Sequence, residues 1–364
     1  MHLKRTPTKH EHALNRREFL VRTAGTAAGA VALTSIGPLT SPALADSNGL
    51  TVPADKRGII LYTVRDVISR QPDPANGING GFAYVLKQLS GMGYRQVEFA
   101  GYTQSTSILG RQITPAEIRK LLDDNGLIAN GSHIGIDQVV NPDAWKRQLD
   151  TAATLGMAYL GTPSIPTSSR YKPDWARVAD QFNKAGEYSL TNYGIRLYQH
   201  NHHGEYAFLL DAGPLDANGH PTASDGQRGL EYFFTVTDPR YVWFEMDIYW
   251  GYVAQYRYQT YTDASGKTQT NIFDPIATVA ANPHQFPLFH VKDGVRDTNS
   301  PDGYDMVPAG TGVVPLEKLL NTIGDSGYHH PNYEQDNAPG DSAHPNQSLQ
   351  FSKISYENIS SWRG

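Results

Sequence analysis

The stretch DWARVADQFNKAGEYSLTNYGIRLYQHNHHGEY, residues 174–206, decides the fold. Asp174–Asn192 carries a helical apolar pattern. Tyr193-Gly194-Ile195 then places a glycine where a helix end favours a left-handed residue. Gly194–His200 follows as a short β-rich run that opens into Asn201-His202-His203-Gly204-Glu205-Tyr206. Helix, glycine stop, strand and a His/Glu-rich strand end make one unit.

Outward from this stretch the unit recurs. β-rich runs lie at Gly58–Val64, Tyr94–Ala100, Leu127–Ile134, Ala158–Pro163, Tyr241–Asp247, Pro287–Val291 and Pro331–Gln335, making eight with the first. From Ile59 to Pro331 is 272 residues in seven steps, about 39 per step, enough for a strand, a loop and a covering helix. Helical patterns fill the gaps at Phe82–Met92, Pro115–Asn125, Asp143–Leu155, Pro275–Ala281 and Leu316–Asp325, and Gln347–Trp362 closes the chain. Thr114-Pro115-Ala116-Glu117 and Asn141-Pro142-Asp143 mark helix starts with proline in the first turn. The pattern predicts an α/β protein, a (β/α)8 TIM barrel. An open doubly wound sheet ranks second, because no GxGxxG follows any strand. Asp211–Gly229 and Arg257–Asn271 read as loop insertions rather than linkers.

The first 45 residues have another character. Six basic groups face two acidic ones there, a local charge of +4, so the remainder of a chain of net −5 carries about −9. Arg16-Arg17 before Phe19-Leu20, a weakly apolar run from Thr23 to Ile36, and Ala43-Leu44-Ala45 predict a cleavable signal peptide over 1–45, with cleavage before Asp46. The paired arginines resemble a twin-arginine signal, an address read by the export machinery. The run is shorter than the roughly 20 apolar residues of a membrane span, so no stable membrane anchor is expected. The catalytic domain is then 46–364, exported to the periplasm or beyond. The chain has no cysteine, which excludes disulfides, thiol nucleophiles and Cys-ligated metals. An acidic mature chain also lacks the basic footprint of a nucleic-acid binder.

In a barrel of this type the active site lies at the C-terminal ends of the strands. Strand five ends in His200-Asn201-His202-His203-Gly204-Glu205, and strand six in Glu245-Met246-Asp247-Ile248-Tyr249-Trp250. Strand seven gives Phe289-His290-Val291-Lys292-Asp293, and strand eight Tyr333-Glu334-Gln335-Asp336. Carboxylates converging with an imidazole would repel one another unless a cation sat between them, and this oxygen-rich set suits Mn²⁺, with Mg²⁺, Co²⁺ or Zn²⁺ as alternatives.

These motifs, with Leu61-Tyr62-Thr63-Val64-Arg65-Asp66 and Val97-Glu98-Phe99 on strands one and two, resemble the xylose isomerase-like barrels of the sugar phosphate isomerase/epimerase family. The resemblance spans residues 58 to 362. It implies one divalent cation held by Glu205, Asp247, His290 and Glu334, one ligand from each of strands five to eight. It further implies that the cation polarises a sugar carbonyl while Glu205 and Glu334 remove and return the proton on the adjacent carbon. His200, His202, Trp250 and Lys292 are candidate substrate contacts, and Tyr62 is a core tyrosine or a platform for the sugar. Return of the proton gives isomerisation or epimerisation. On a 3-keto glycoside the same carbanion would expel the aglycone, making a lyase. An exported chain points to a non-phosphorylated sugar. A non-catalytic sugar-binding protein is the remaining alternative, and a carboxylate on each face of the substrate favours the enzyme.

Overall fold

The computed structural model describes residues 49–101, 104–324 and 328–364. The chain divides into two units, Met1–Ala45 and Asp46–Gly364; the expected signal peptide, 1–45, lies outside the described residues. Eight parallel strands form one sheet: β1 (Gly58–Ile60), β2 (Gln96–Phe99), β3 (Ile128–Ser132), β4 (Tyr159–Thr162), β5 (Arg196–His200), β6 (Val242–Asp247), β7 (Leu288–Val291) and β8 (His330–Tyr333). Their order is β3-β2-β1-β8-β7-β6-β5-β4. The two edges meet at a parallel bridge between His133 and Gly161, where Ile134 N donates to Gly161 O at 2.8 Å. The sheet is a nearly closed TIM barrel, as the repeat predicts.

The expected helices form with small shifts at their ends. Lys172–Tyr193 stops at Gly194, whose φ of 69° is left-handed and whose N–H donates to Leu190 O. Thr114 caps Pro115–Asp124 through a reciprocal pair with Glu117. The structure adds helices at Ile136–Val140, Gly229–Val236 and Ile248–Arg257. The two insertions fold into antiparallel hairpins, Ala212–Leu215 with Pro221–Ala223 and Thr260–Thr262 with Thr268–Thr270. Among the described residues, no helix is long and apolar enough to cross a membrane.

Strand alternation sets what faces the barrel interior. Val242, Phe244 and Met246 join the main core beneath the helices, whereas Trp243 joins Tyr159, Tyr198 and Leu288 in a separate small cluster inside the barrel. Glu245 and Asp247 share the Trp243 face of β6 and therefore point inward. Gly161 makes room for Tyr198, since a Cβ there would stand 2.2 Å from Tyr198 O. The interior also carries buried polar side chains, several of them linked to one another. Asn130 Nδ2 donates to Asn332 Oδ1 at 2.9 Å, and Asn332 Nδ2 donates to Glu98 Oε2 at 2.8 Å.

Candidate metal centre and active site

Ionisable groups collect in two tiers at the C-terminal end of the barrel. The lower tier comprises Glu98 from β2, His133 just past β3, His200 from β5, Glu245 from β6 and His290 from β7. His133 Nε2 lies 2.8 Å from Glu245 Oε2 and 3.2 Å from Glu98 Oε1. His200 Nδ1 lies 3.1 Å from Glu245 Oε2, and His290 Nε2 is 3.0 Å from Glu98 Oε2 and 3.3 Å from Glu245 Oε1. Burial pushes Glu245 up to about 7, helped by the Glu98 charge. Burial acts the same way on Glu98, but His133 and His290 overcome it and hold that carboxyl well below its usual range. His133 rises to about 9 because the two carboxylates outweigh its desolvation. His200, by contrast, is lowered by burial and by the neighbouring His290 and His133.

The upper tier is built on Asp247, Lys292, Glu334 and the other nitrogen of His290. His290 Nδ1 lies 2.8 Å from Glu334 Oε2 and 3.8 Å from Asp247 Oδ2. Lys292 Nζ, fully buried, reaches Glu334 Oε2 at 2.6 Å, Asp247 Oδ2 at 2.8 Å and Asp336 Oδ2 at 3.1 Å. Asp247 serves two elements at once: its Oδ1 accepts from Trp250 N at 2.8 Å and caps the helix Ile248–Arg257, while Oδ2 faces the tier. Burial raises Asp247 to about 6, against the pull of Lys292. For Glu334 the balance goes the other way, since His290 and Lys292 overcome burial and keep it well below the ordinary carboxylate range.

Of the four expected ligands, the structure brings three together. One donor atom from each of Asp247, His290 and Glu334 lies within 4.8 Å of the others. Glu205 stands outside that group. It sits on the short 3-10 turn Gly204–Tyr206, where its Oε2 accepts from His202 N at 3.1 Å and its buried Oε1 has no hydrogen-bond partner among the described residues. Burial lifts its carboxyl to about 7, and the Asp247 charge adds to the rise.

The expected substrate contacts divide similarly. His200 belongs to the lower tier. The His202 ring packs 5.0 Å from His200 and 5.6 Å from Trp250, and burial together with Lys292 lowers it to about 4, so it is a neutral donor and acceptor. Lys292 is committed to three carboxylates, with the Trp250 ring 5.4 Å away. His203 turns to Tyr258, Arg257 and Asp302. Tyr62 is 40% exposed, beneath the guanidinium of Arg65 at 3.8 Å, and is not a core residue.

A cleft of about 900 Å³ opens above the tiers, with His133, His200, His202, Glu334 and Asp336 on its wall. Glu98, His133 and Glu245 were not expected at the site. Glu245 was legible, lying two residues before Asp247 and hence on the same strand face.

The donor chemistry fits a divalent cation. Lys292 Nζ marks a position where two carboxylates already hold positive charge, and Asp336 offers the ammonium a partner to one side. Asp247, His290 and Glu334 would hold the ion, a mixed O/N set that suits Mn²⁺ or a similar metal.

A model of the xylose isomerase-like TIM barrel family matches residues 86–340. The chain belongs to that family. Among solved structures of similar fold is a sugar phosphate isomerase/epimerase from Parabacteroides distasonis, 24% identical, covering 84% of this chain and 96% of its own, with a TM-score of 0.60. Another is the IOLI protein with a bound zinc atom, 14% identical, covering 85% and 99%, TM-score 0.55. A third is a probable 3-DHS dehydratase from Bacillus anthracis, 12% identical, covering 83% and 97%, TM-score 0.53. No curated protein matches the sequence. For a xylose isomerase-like barrel, the two tiers at the strand ends stand where the fold places active sites.

Proposed function

We propose that this chain is a divalent-metal-dependent isomerase or epimerase of a non-phosphorylated sugar or sugar derivative. The observation that carries the reading is the split between two buried carboxyls. Glu334 is held ionised on the cleft wall, while Glu205, which accepts from the N–H of the lining residue His202, is raised to about 7. Pairs of groups whose surroundings push their proton affinities apart are suited to acid and base roles. A cation on Asp247, His290 and Glu334 would, when bound, polarise a substrate carbonyl and acidify the adjacent C–H; one solved neighbour of this fold holds a zinc atom. In this reading Glu334 acts from the cleft wall and Glu205 from beside the lining residue His202 to exchange the proton at that carbon, neutral His202 meets a sugar hydroxyl, and Lys292 balances the charge of Asp247 and Glu334.

The lining favours an uncharged substrate. Its described residues include Tyr62, Gln112, Gln138, Gln148 and Ser164 with Glu334 and Asp336, no lysine or arginine, and a raised His133 that is already paired with Glu98 and Glu245. Phosphate recognition rests on arginine, lysine or clustered N–H groups, and two carboxylates would oppose it. The cleft also lies at the upper end of the roughly 300–1,000 Å³ typical of small-molecule pockets, more room than one sugar ring needs. That favours a second reading, β-elimination from a 3-keto glycoside at the same site.

We further propose that residues 1–45 direct export by the twin-arginine route and are removed before Asp46. N-terminal sequencing of envelope protein tests this, and an intact Met1 would overturn it. For the reaction, pyranoses and 3-keto glycosides are assayed with and without Mn²⁺. Exchange of solvent deuterium into a substrate C–H is expected, with aglycone release identifying the lyase. Metal-independent activity, or none on any sugar, would defeat the reading.

A further inference from the structure

We infer that the lower tier is a second cation site, built for a tetrahedral ion such as Zn²⁺ and mutually exclusive with the upper one. One donor atom from each of His133, His200, Glu245 and His290 lies within 4.8 Å of all the others, and all four residues are buried. The ring centres stand 4.9 Å apart for His133 and His200, 5.3 Å for His133 and His290, and 4.6 Å for His200 and His290. Three imidazoles bound through nitrogens at 2.0–2.1 Å around one tetrahedral ion have centres about 5 Å apart. The rings thus already stand at the spacing such a centre requires.

Charge and donor type agree with this. Glu98 and Glu245 bring two carboxyl groups into the barrel, and the ion pairs they make are with imidazoles. A divalent ion with three neutral imidazoles balances both of them as carboxylates, in a place where an uncompensated charge is costly. Glu98, which also accepts from Tyr198 and Asn332, lies beside the quartet as a fixed counter-charge. Three nitrogens and one carboxylate oxygen suit Zn²⁺, whereas the oxygen-richer upper tier suits Mn²⁺ or Mg²⁺.

His290 couples the two sites. A neutral imidazole offers one lone pair, its other nitrogen carrying the proton. His290 Nε2 faces the lower tier and Nδ1 the upper, so a lower ion removes His290 from the upper set, and the reverse. Zinc therefore competes with the ion that the reading above places on Asp247, His290 and Glu334. The lower site itself uses no residue special to that reading except His290.

The experiment is titration of the metal-stripped protein with Co²⁺ and then Zn²⁺, read by visible absorption and bound-metal stoichiometry. The wild type is expected to take up one Co²⁺ with the intense absorption of a four-coordinate ion, which Zn²⁺ displaces. Asp247→Asn and Glu334→Gln are expected to keep that band, and Glu245→Gln and His133→Gln to lose it while remaining folded by circular dichroism. Should either of the latter fail to fold, retention or loss of the band in Asp247→Asn still decides. Only the weak absorption of a six-coordinate ion, no uptake, or loss of the band in Asp247→Asn as complete as in Glu245→Gln would overturn the proposal. Mn²⁺ binding by the same variants tests the upper site separately: Asp247→Asn binding Mn²⁺ as the wild type does would fail that reading and leave the lower site standing.

Discussion

His290 is held between Glu98 and Glu334. Its Nε2 meets Glu98 Oε2 at 3.0 Å, and its Nδ1 meets Glu334 Oε2 at 2.8 Å. Because Glu98 takes the Nε2 side, the Nδ1 lone pair is left for the upper tier, an arrangement that fixes both tautomer and ring orientation at a metal ligand. Glu98→Gln is therefore expected to weaken Mn²⁺ binding by about 10–100-fold, the usual loss for such outer partners, with the fold retained through Tyr198 and Asn332. Titration calorimetry checks this, and wild-type affinity in the variant would show that Glu98 does not position His290.

Lys292 supplies positive charge to Asp247, Glu334 and Asp336 at once. Lys292→Met leaves that buried charge uncompensated in metal-free protein, and breaking a buried pair from one side costs about 3–5 kcal/mol. A divalent ion on Asp247 and Glu334 restores the balance, so saturating Mn²⁺ is expected to recover most of the loss. Urea unfolding with and without Mn²⁺ measures both. An equal deficit under the two conditions would mean that the ion does not bind these carboxylates.

The repeat made the barrel legible because glycine stops and β-rich runs report local backbone preferences, and those survive folding. Asp247, His290 and Glu334 were legible for the same reason, each standing at or just past a strand end. Glu205 was harder to place. Its strand ends at His200, and in the five residues that follow the chain turns back, so that the carboxylate caps His202 N rather than reaching the group. The lower tier was less legible because Glu98 and Glu245 stand within their strands rather than past the ends, although both point inward by simple alternation. The helix Ile248–Arg257 was missed because its aromatic residues, Tyr249, Trp250, Tyr252 and Tyr256, read as strand formers; its start is fixed by Asp247, whose cap is only visible in three dimensions.

The raised carboxyl of Glu205 has a consequence for stability. Its ordinary value is 4.5 and burial lifts it to about 7, so the folded chain binds this proton more tightly than the unfolded one. The stabilisation is full below about pH 4.5 and is lost as pH rises through about 7, up to a limit on the order of 3 kcal/mol. In metal-free protein the wild type is expected to lose stability over that window relative to Glu205→Gln, which cannot titrate. Urea midpoints of the two proteins across the window provide the measurement, and parallel profiles would refute the assignment.

The two glutamates that would move the proton differ in what else they do, and that difference separates catalysis from metal binding. Glu334 lines the cleft and belongs to the Asp247, His290, Glu334 group, whereas Glu205 belongs to neither. Replacing Glu334 by Gln is thus expected to weaken the metal and turnover together. Replacing Glu205 by Gln removes a proton carrier but no member of that donor group, so metal content should hold while turnover falls by about 10²–10⁴-fold, the usual contribution of general acid–base catalysis. Kinetics with bound metal quantified in each sample settle the matter. Near-normal turnover in Glu205→Gln with metal bound would end the pair mechanism, and loss of metal in that variant would instead make Glu205 the fourth ligand that the sequence motif implies.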